Sequence, residues 1–402
     1  MERMPSITHS ATAGDANRRT ESGPLLSFEE YGQRAYFAAL DGLRALAILL
    51  VIFHHVRRDG ADPLYALHQN GRYGVSLFFI VSGYLICTLF LREEQQRGKI
   101  SLKSFYARRA IRLFPLYYVM LAVQAAAVFG TNLYQPSSVV LFAEKLPAYL
   151  FYYSNLLPTA TDGPFFFAWS LAVEEQFYLW FGFAMVFLPR RALLALVAGA
   201  LLFKLACYNL FGPLDAQSQF YRVVFSYREP LLLGVLMAFA LNRRDLYDRI
   251  VPPLGRRGVA LALGVLCAGF LAVHPMTSAT HWDGVLLAVT MTLLTAAMVS
   301  RRHVPFLGHR AVAHYGKVSY GIYLMHMFVL TAAARFIPGD APALLFAAGA
   351  VGTGLLAIVS FALFENPIIT WFRRRRARAA EQSAPGAALK APLPLSSSSA
   401  SA

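Results

Sequence analysis

About ten apolar runs, most of them close to the roughly 20 residues a helix needs to cross the hydrocarbon of a bilayer, divide this chain and leave no stretch long enough to fold as a soluble domain. They lie near residues 38–56, 74–91, 113–131, 170–188, 192–211, 229–242, 258–274, 284–300, 318–336 and 343–364. Lipid offers backbone groups no hydrogen-bond partner, so only helices and closed barrels span it, and runs of this length specify helices. The expected fold is therefore all-α, a polytopic transmembrane helix bundle. A composition of 57% hydrophobic and 15% charged residues agrees with that class and not with a soluble globular one.

Charge sets the orientation. The formal net charge of +15 sits in short basic runs between apolar segments, with no basic soluble domain that would suit nucleic acid. Ten spans with both termini cytoplasmic put the loops 92–112, 189–191, 243–257 and 301–317, and the run Arg373 to Arg378, on the inside, as the positive-inside rule requires. Arg57, Arg58 and Arg72 fall outside, against the trend. An eleventh span at Leu146 to Pro158 would invert every later loop, so that stretch is read as re-entrant or interfacial.

Residues 1–35 form a polar leader, expected to be cytosolic and loosely ordered, without the apolar core of a cleavable signal. Residues 36–370 make the transmembrane domain, and 371–402 a basic, then Ala/Pro/Ser-rich tail, expected to be disordered. Cys87, Cys207 and Cys267 are too scattered for a disulfide framework or a metal site and are assigned to packing; no metal is expected.

The first span carries ionisable residues that lipid disfavours by about 2.5 kcal/mol or more each when unpaired, so such residues usually mark a site. In DGLRALAILLVIFHH, Arg44 and His55 are eleven residues apart, three turns plus about 20°, and so share one stripe roughly 16 Å long. Asp41 lies close to the same stripe, while His54 points off it. On geometry alone, capping by Asp41 and snorkelling by Arg44 explain these charges equally well.

Four further motifs shift that balance: GVSLFFIVSGYLI (Gly74 to Ile86), FYARRAIRLFPLYY (Phe105 to Tyr118), WSLAVEEQFYL (Trp169 to Leu179) and SYGIYLMH (Ser319 to His326). In this order, with the Arg44/His55 helix, they resemble the acyltransferase family 3 proteins, membrane enzymes that O-acylate carbohydrates and related acceptors. The resemblance covers about residues 36–370. It implies transfer of an acyl group, acetyl by default, from cytoplasmic acyl-CoA to a hydroxyl of a glycan or lipid-linked acceptor at the outer face of a bacterial inner membrane. Acyl-CoA is then a co-substrate and no tightly bound cofactor is expected; membrane lipid and a carbohydrate acceptor are the partners.

Thioester-to-alcohol transfer needs a base, a stabiliser for the tetrahedral oxyanion and a clamp for the donor's phosphates. His55 is the candidate base, since imidazole exchanges protons near neutrality. Arg44 would guide the donor or complete a charge network, and Asp41 would neutralise Arg44 at the i, i+3 spacing. Arg109 and Arg112, also three apart, with Arg108 beside them, are candidate phosphate ligands; topology alone would equally place arginines there. Glu174 shares a helical face with Ser170, Phe177 and Tyr178, and is expected to orient His55 or bind acceptor hydroxyls; a structural salt bridge is the plainer alternative. Glu175, Tyr323 and His326 are secondary candidates, and Ser82 reads as a packing residue. Arg228 is followed by Glu229 where family members often carry Arg-x-Asp, which leaves that segment without an assigned role. A proton-coupled glycan or lipid transporter is the competing reading, because buried His, Arg and Glu also build proton relays.

Overall fold

A computed structural model describes residues 24–56, 62–158, 162–211, 229–256, 258–273 and 281–382. Helix α1 (Phe28–Gln33) precedes α2 (Ala38–His55), α3 (Tyr65–Asn70) and α4 (Gly74–Arg97). Next come α5 (Leu102–Gly130), α6 (Pro136–Leu150), α7 (Ala168–Phe187) and α8 (Arg190–Phe211). Helices α9 (Glu229–Leu241), α10 (Arg244–Leu254), α11 (Val259–Val273) and α12 (His281–Val299) follow, then α13 (Arg310–Lys317), α14 (Ser319–Ala333), α15 (Pro342–Ser360) and α16 (Asn366–Gln382). Among the described residues the one strand-like pairing is a β-bridge between Leu25 and Arg301.

Every apolar run seen in the sequence falls on a helix: α2, α4, α5, α7, α8, α9, α11, α12, α14 and α15. Five continuous helical stretches are long and apolar enough to cross a membrane, within α2, α3–α4, α5, α12 and α15–α16, and a sixth results if α10 and α11, bent by 77°, count as one. Helices α9 and α14 are apolar but only 13 and 15 residues long. The Glu174–Gln176 run makes α7 less apolar than its neighbours. The segment 146–158 is the end of α6 followed by a turn and a single 3₁₀ turn, Ser154–Leu156. Arg57, Arg58, Arg228, the leader before residue 24 and the tail after residue 382 lie outside the described residues.

Glycine sets the closest helix approach. A Cβ on Gly83 of α4 would lie 2.2 Å from the Leu231 carbonyl oxygen, and one on Gly234 of α9 would lie 2.3 Å from that of Ile80. The two glycines therefore let α4 and α9 meet backbone to backbone, as small residues do between membrane helices. In the same way Gly316 of α13 sits under Asp41 at the start of α2, where a Cβ would fall 1.7 Å from the Asp41 carbonyl oxygen.

Residues 24–35, expected to be loose, are instead anchored to one end of the bundle. A capping box closes α1, with Ser27 N–H donating to Glu30 at 2.7 Å and Glu30 N–H to Ser27 Oγ at 3.2 Å. Tyr31 is fully buried and its hydroxyl meets that of Tyr84 at 2.7 Å. Arg92 of α4 donates to the carbonyls of Tyr31 and Arg34, both at 2.7 Å, and Arg302 grips both carboxylate oxygens of Glu30. The arginine run is likewise helical: it lies in α16, where Arg376 donates to Ser104 Oγ at 2.7 Å. Arg376 thus ties the run to the start of α5.

Overpacking a tight contact destabilises by about 1–3 kcal/mol. Gly83→Ala and Gly234→Ala are each expected to lower the thermal midpoint of the detergent-solubilised protein, and the double variant to lower it by less than the sum, because both act on one contact. Unchanged midpoints would show that α4 and α9 do not touch this closely.

Candidate active site

A line of polar side chains runs through the bundle from the end that carries Arg44 to the end that carries His55. Helix α7 threads it. Ser170, Glu174 and Tyr178 recur every four residues and so stack on one face; Ser170 meets α14, Glu174 meets α4, and Tyr178 meets both α4 and α5.

At the arginine end, Asp41 is buried and accepts from the Tyr36 hydroxyl at 2.7 Å, with Arg44 Nη1 at 3.5 Å from its other oxygen. The Arg109 guanidinium lies over the Tyr178 ring at 4.7 Å and the Phe105 ring at 5.9 Å, a cation–π arrangement that holds the charge without cancelling it. Arg112 feels the charges of Arg44, Arg109, Asp41 and Glu365, which puts these residues of α2, α5 and the last span in one electrostatic cluster. Arg108 departs from that cluster. Its guanidinium donates to Ser104 Oγ and lies 3.6 Å from Glu93, with the side chain about half exposed. One residue further along, a helix turns by about 100°, which separates Arg108 from the face shared by Arg109 and Arg112.

In the middle, Glu174 accepts from Ser82 Oγ at 2.7 Å and from the Tyr178 hydroxyl at 3.1 Å. The charges of Arg109 and Arg44 act on it from the arginine end. Ser82 thus serves as a carboxylate partner as well as a packing residue. Glu175 faces the tyrosine-rich side, where its charge acts on Tyr117, Tyr118, Tyr152 and Tyr320.

At the far end, His55 is oriented by its own helix. Its Nδ1 lies 2.8 Å from the Val51 carbonyl oxygen; a carbonyl can only accept, so Nδ1 carries a proton, and in the neutral ring Nε2 then holds the lone pair. Glu174, expected to orient His55 or to bind acceptor hydroxyls, is engaged by Ser82 and Tyr178. The His55 ring packs 5.0 Å from that of His326, 5.1 Å from His54 and 5.6 Å from Phe166. His326 is fully buried, with Nδ1–H donating to the Tyr323 carbonyl at 2.6 Å and Nε2 buried without a partner among the described residues. The Tyr323 hydroxyl meets Ser170 Oγ at 2.6 Å and donates to the Phe167 carbonyl at 2.9 Å. Helices α2, α7 and α14 therefore bring His55, His326, Tyr323 and Ser170 together.

A strained turn fixes this end. Phe165 has φ +64°, a left-handed conformation that costs a bulky residue of order 1–3 kcal/mol. Its ring is buried against Tyr117, Tyr149 and Phe167, which holds the turn in place. The turn delivers Phe166 to His55 and the Phe167 carbonyl to Tyr323. Sequence reading misses Phe165 to Phe167, whose only signal is three phenylalanines after Gly163–Pro164. It also leaves Glu365 aside. A π-helical turn (Phe361–Glu365) buries Glu365 beside Ser360 and within reach of Arg112's charge, and such turns often mark functional sites.

The acyltransferase-3 domain model matches residues 37–363, which contain these groups apart from Tyr36 and Glu365. A Staphylococcus aureus (strain COL) protein that bears an O-acetyltransferase name is 29% identical over 364 residues, 85% of this chain and 58% of the relative. The O-acetyltransferase OatA of Staphylococcus aureus (strain NCTC 8325 / PS 47) is 28% identical over 355 residues, 83% of this chain and 57% of that protein. The chain thus spans less than two thirds of the length of these relatives, and no solved structure matches it. With the family model covering most of its length, the chain belongs to the acyltransferase-3 family of acyltransferases.

Proposed function

We propose that the chain is an integral membrane O-acyltransferase that moves an acyl group, acetyl by default, from cytoplasmic acyl-CoA to a hydroxyl of a glycan or lipid-linked acceptor at the outer face of a bacterial inner membrane. The observation that carries this reading is the polar line through the bundle, with a cluster of three guanidinium groups, Arg44, Arg109 and Arg112, at one end and the His55 imidazole, held through its Nδ1, at the other. The names of its relatives support O-acetyl transfer in particular. In this reading the ten apolar helices cross, both termini are cytoplasmic, and the turn after α6 is re-entrant or interfacial.

Arg109 and Arg112 hold the phosphates of the donor, with Arg44 completing the positive field and Asp41 setting Arg44's position. Along α2, Arg44 and His55 stand about 16 Å apart. That separation suits a donor whose phosphates and thioester lie at opposite ends of a flexible arm, as in coenzyme A. His55 Nε2 takes the proton from the acceptor hydroxyl as its oxygen attacks the thioester carbonyl. The tetrahedral intermediate collapses, the C–S bond breaks, and the imidazolium returns the proton to the leaving thiolate. His326 and Tyr323 are positioning residues, the first packed on the His55 ring and the second tying α14 to α7. Glu174 joins the two ends through Tyr178 and Ser82. No metal or tightly bound cofactor is invoked.

General acid–base groups typically contribute about 10²–10⁴-fold. His55→Gln is expected to lower the rate of acyl transfer from radiolabelled acetyl-CoA to a glycan acceptor by that order while leaving donor affinity within about twofold. Loss of donor binding with His55, or retention of turnover without it, would contradict the assignment. Removing either donor clamp should act on the other constant. Arg109→Gln and Arg112→Gln are each expected to raise the donor KM about tenfold, equivalent to about 1.4 kcal/mol, whereas Arg108→Gln, whose charge is directed to Glu93, should leave it within about twofold. Equal effects from all three would assign the basic run to topology alone.

A further inference from the structure

The bundle holds a second cluster of positive side chains, at the start of α2. Arg34, Arg301, Arg302 and His303 line a cavity of about 300 Å³ whose wall includes Phe37 and Ala38 at the start of α2. Neutral oxygens hold most of its guanidinium groups. Arg34 donates to the carbonyls of Tyr36 at 3.2 Å, Arg301 at 3.1 Å and Arg302 at 3.3 Å. Arg301 donates from Nη2 to the Gly255 carbonyl at 3.5 Å, and its buried Nε has no acceptor among the described residues. Carbonyls orient a guanidinium without cancelling its charge. Of the three arginines, Arg302 is the one that meets a carboxylate there, that of Glu30.

Helix α2 adds to the same field. Its N-cap, Phe37, offers no side-chain acceptor to the first-turn amides, so the positive end of an 18-residue helix opens beside the arginines. The acid of its first turn, Asp41, is already engaged by Tyr36 and Arg44. Ala38 and Arg44 are six residues apart, about 120° round the helix, so this cavity and the Arg44 cluster open on different sides of α2. Tyr36 and Phe306, neighbours in sequence of wall residues, are 58% and 68% exposed, as aromatic residues at a membrane surface are.

We propose that this cavity is a binding site for a phosphate ester, distinct from the arginines at 109 and 112, that takes either the headgroup of an anionic phospholipid or the phosphates of a nucleotide. Cavity, surplus charge and uncapped helix end all suit the same kind of occupant, an anion with several acceptor oxygens, which could also satisfy the Arg301 guanidinium.

Full-length protein, delipidated in neutral detergent, tests this by thermal shift with dihexanoyl phosphatidylglycerol and with coenzyme A, in wild type and variants. Arg34→Gln cuts three backbone ties and is expected to destabilise the N-terminal segment, so Arg301→Gln and the exposed His303→Ala carry the test, with Arg191→Gln as the control. At least one probe should raise the wild-type midpoint saturably, with half-saturation shifted at least tenfold by Arg301→Gln and unmoved by Arg191→Gln. Dependence of the lipid response on Arg301 names a headgroup as the occupant, and dependence of the coenzyme A response names a nucleotide. If Arg301→Gln and His303→Ala bind both probes as wild type does, or if neither probe stabilises the wild type, the proposal is overturned.

Discussion

A carboxylate in the middle of an apolar bundle needs donors around it, because hydrocarbon supplies none. Glu174 meets that demand with the hydroxyls of Ser82 and Tyr178 and with the field of Arg109 and Arg44. Much of the bundle's interior follows from it. Ser82 must come from α4, so α4 packs against α7. Tyr178 must present its ring to Arg109, so α5 closes the other side. One turn before Glu174, Ser170 is tied to Tyr323, which brings α14 and His326 up to His55. A four-residue period on one helix thus spaces the groups between two chemically different ends.

The two ends differ in how charge is treated. At the arginine end, guanidinium groups rest on aromatic rings or in mixed clusters, which keeps positive charge available for an anion. At the histidine end, backbone carbonyls accept from the Nδ1–H of His55 and His326, which in the neutral ring leaves Nε2 available for a proton. The strained turn at Phe165 belongs to this design: the conformational cost is offset by burying its ring among Tyr117, Tyr149 and Phe167, and the return is the placement of Phe166 and the Phe167 carbonyl.

Residues that declare themselves through periodicity were legible in the sequence. The Arg44/His55 stripe and the Ser170, Glu174 and Tyr178 face depend only on helical geometry, and the apolar runs that became helices depend only on length and hydropathy. Contacts between distant segments were not legible. The meeting of His55 with His326 joins residues 271 positions apart, and the parting of Arg108 from Arg109 rests on an acid, Glu93, in another helix. The N-terminal segment read as a loose leader because its anchors, Tyr84, Arg92 and Arg302, lie far along the chain. Hydropathy alone also blurs which helices cross: Glu174 to Gln176 dilute α7, and α9 and α14 are short. The π-helical turn that buries Glu365 leaves no periodic trace at all.

The sidedness of transfer in sealed proteoliposomes tests the central claim most directly. Radiolabelled acetyl-CoA is supplied on one face and an acceptor glycan is enclosed on the other, with the protein's orientation fixed by tag protection. A path from the arginine end to the histidine end predicts labelled glycan when donor and acceptor face opposite sides, with the donor on the side of Arg109 and Arg112, and little label in the reversed arrangement. Efficient transfer only when both substrates share one face would contradict it.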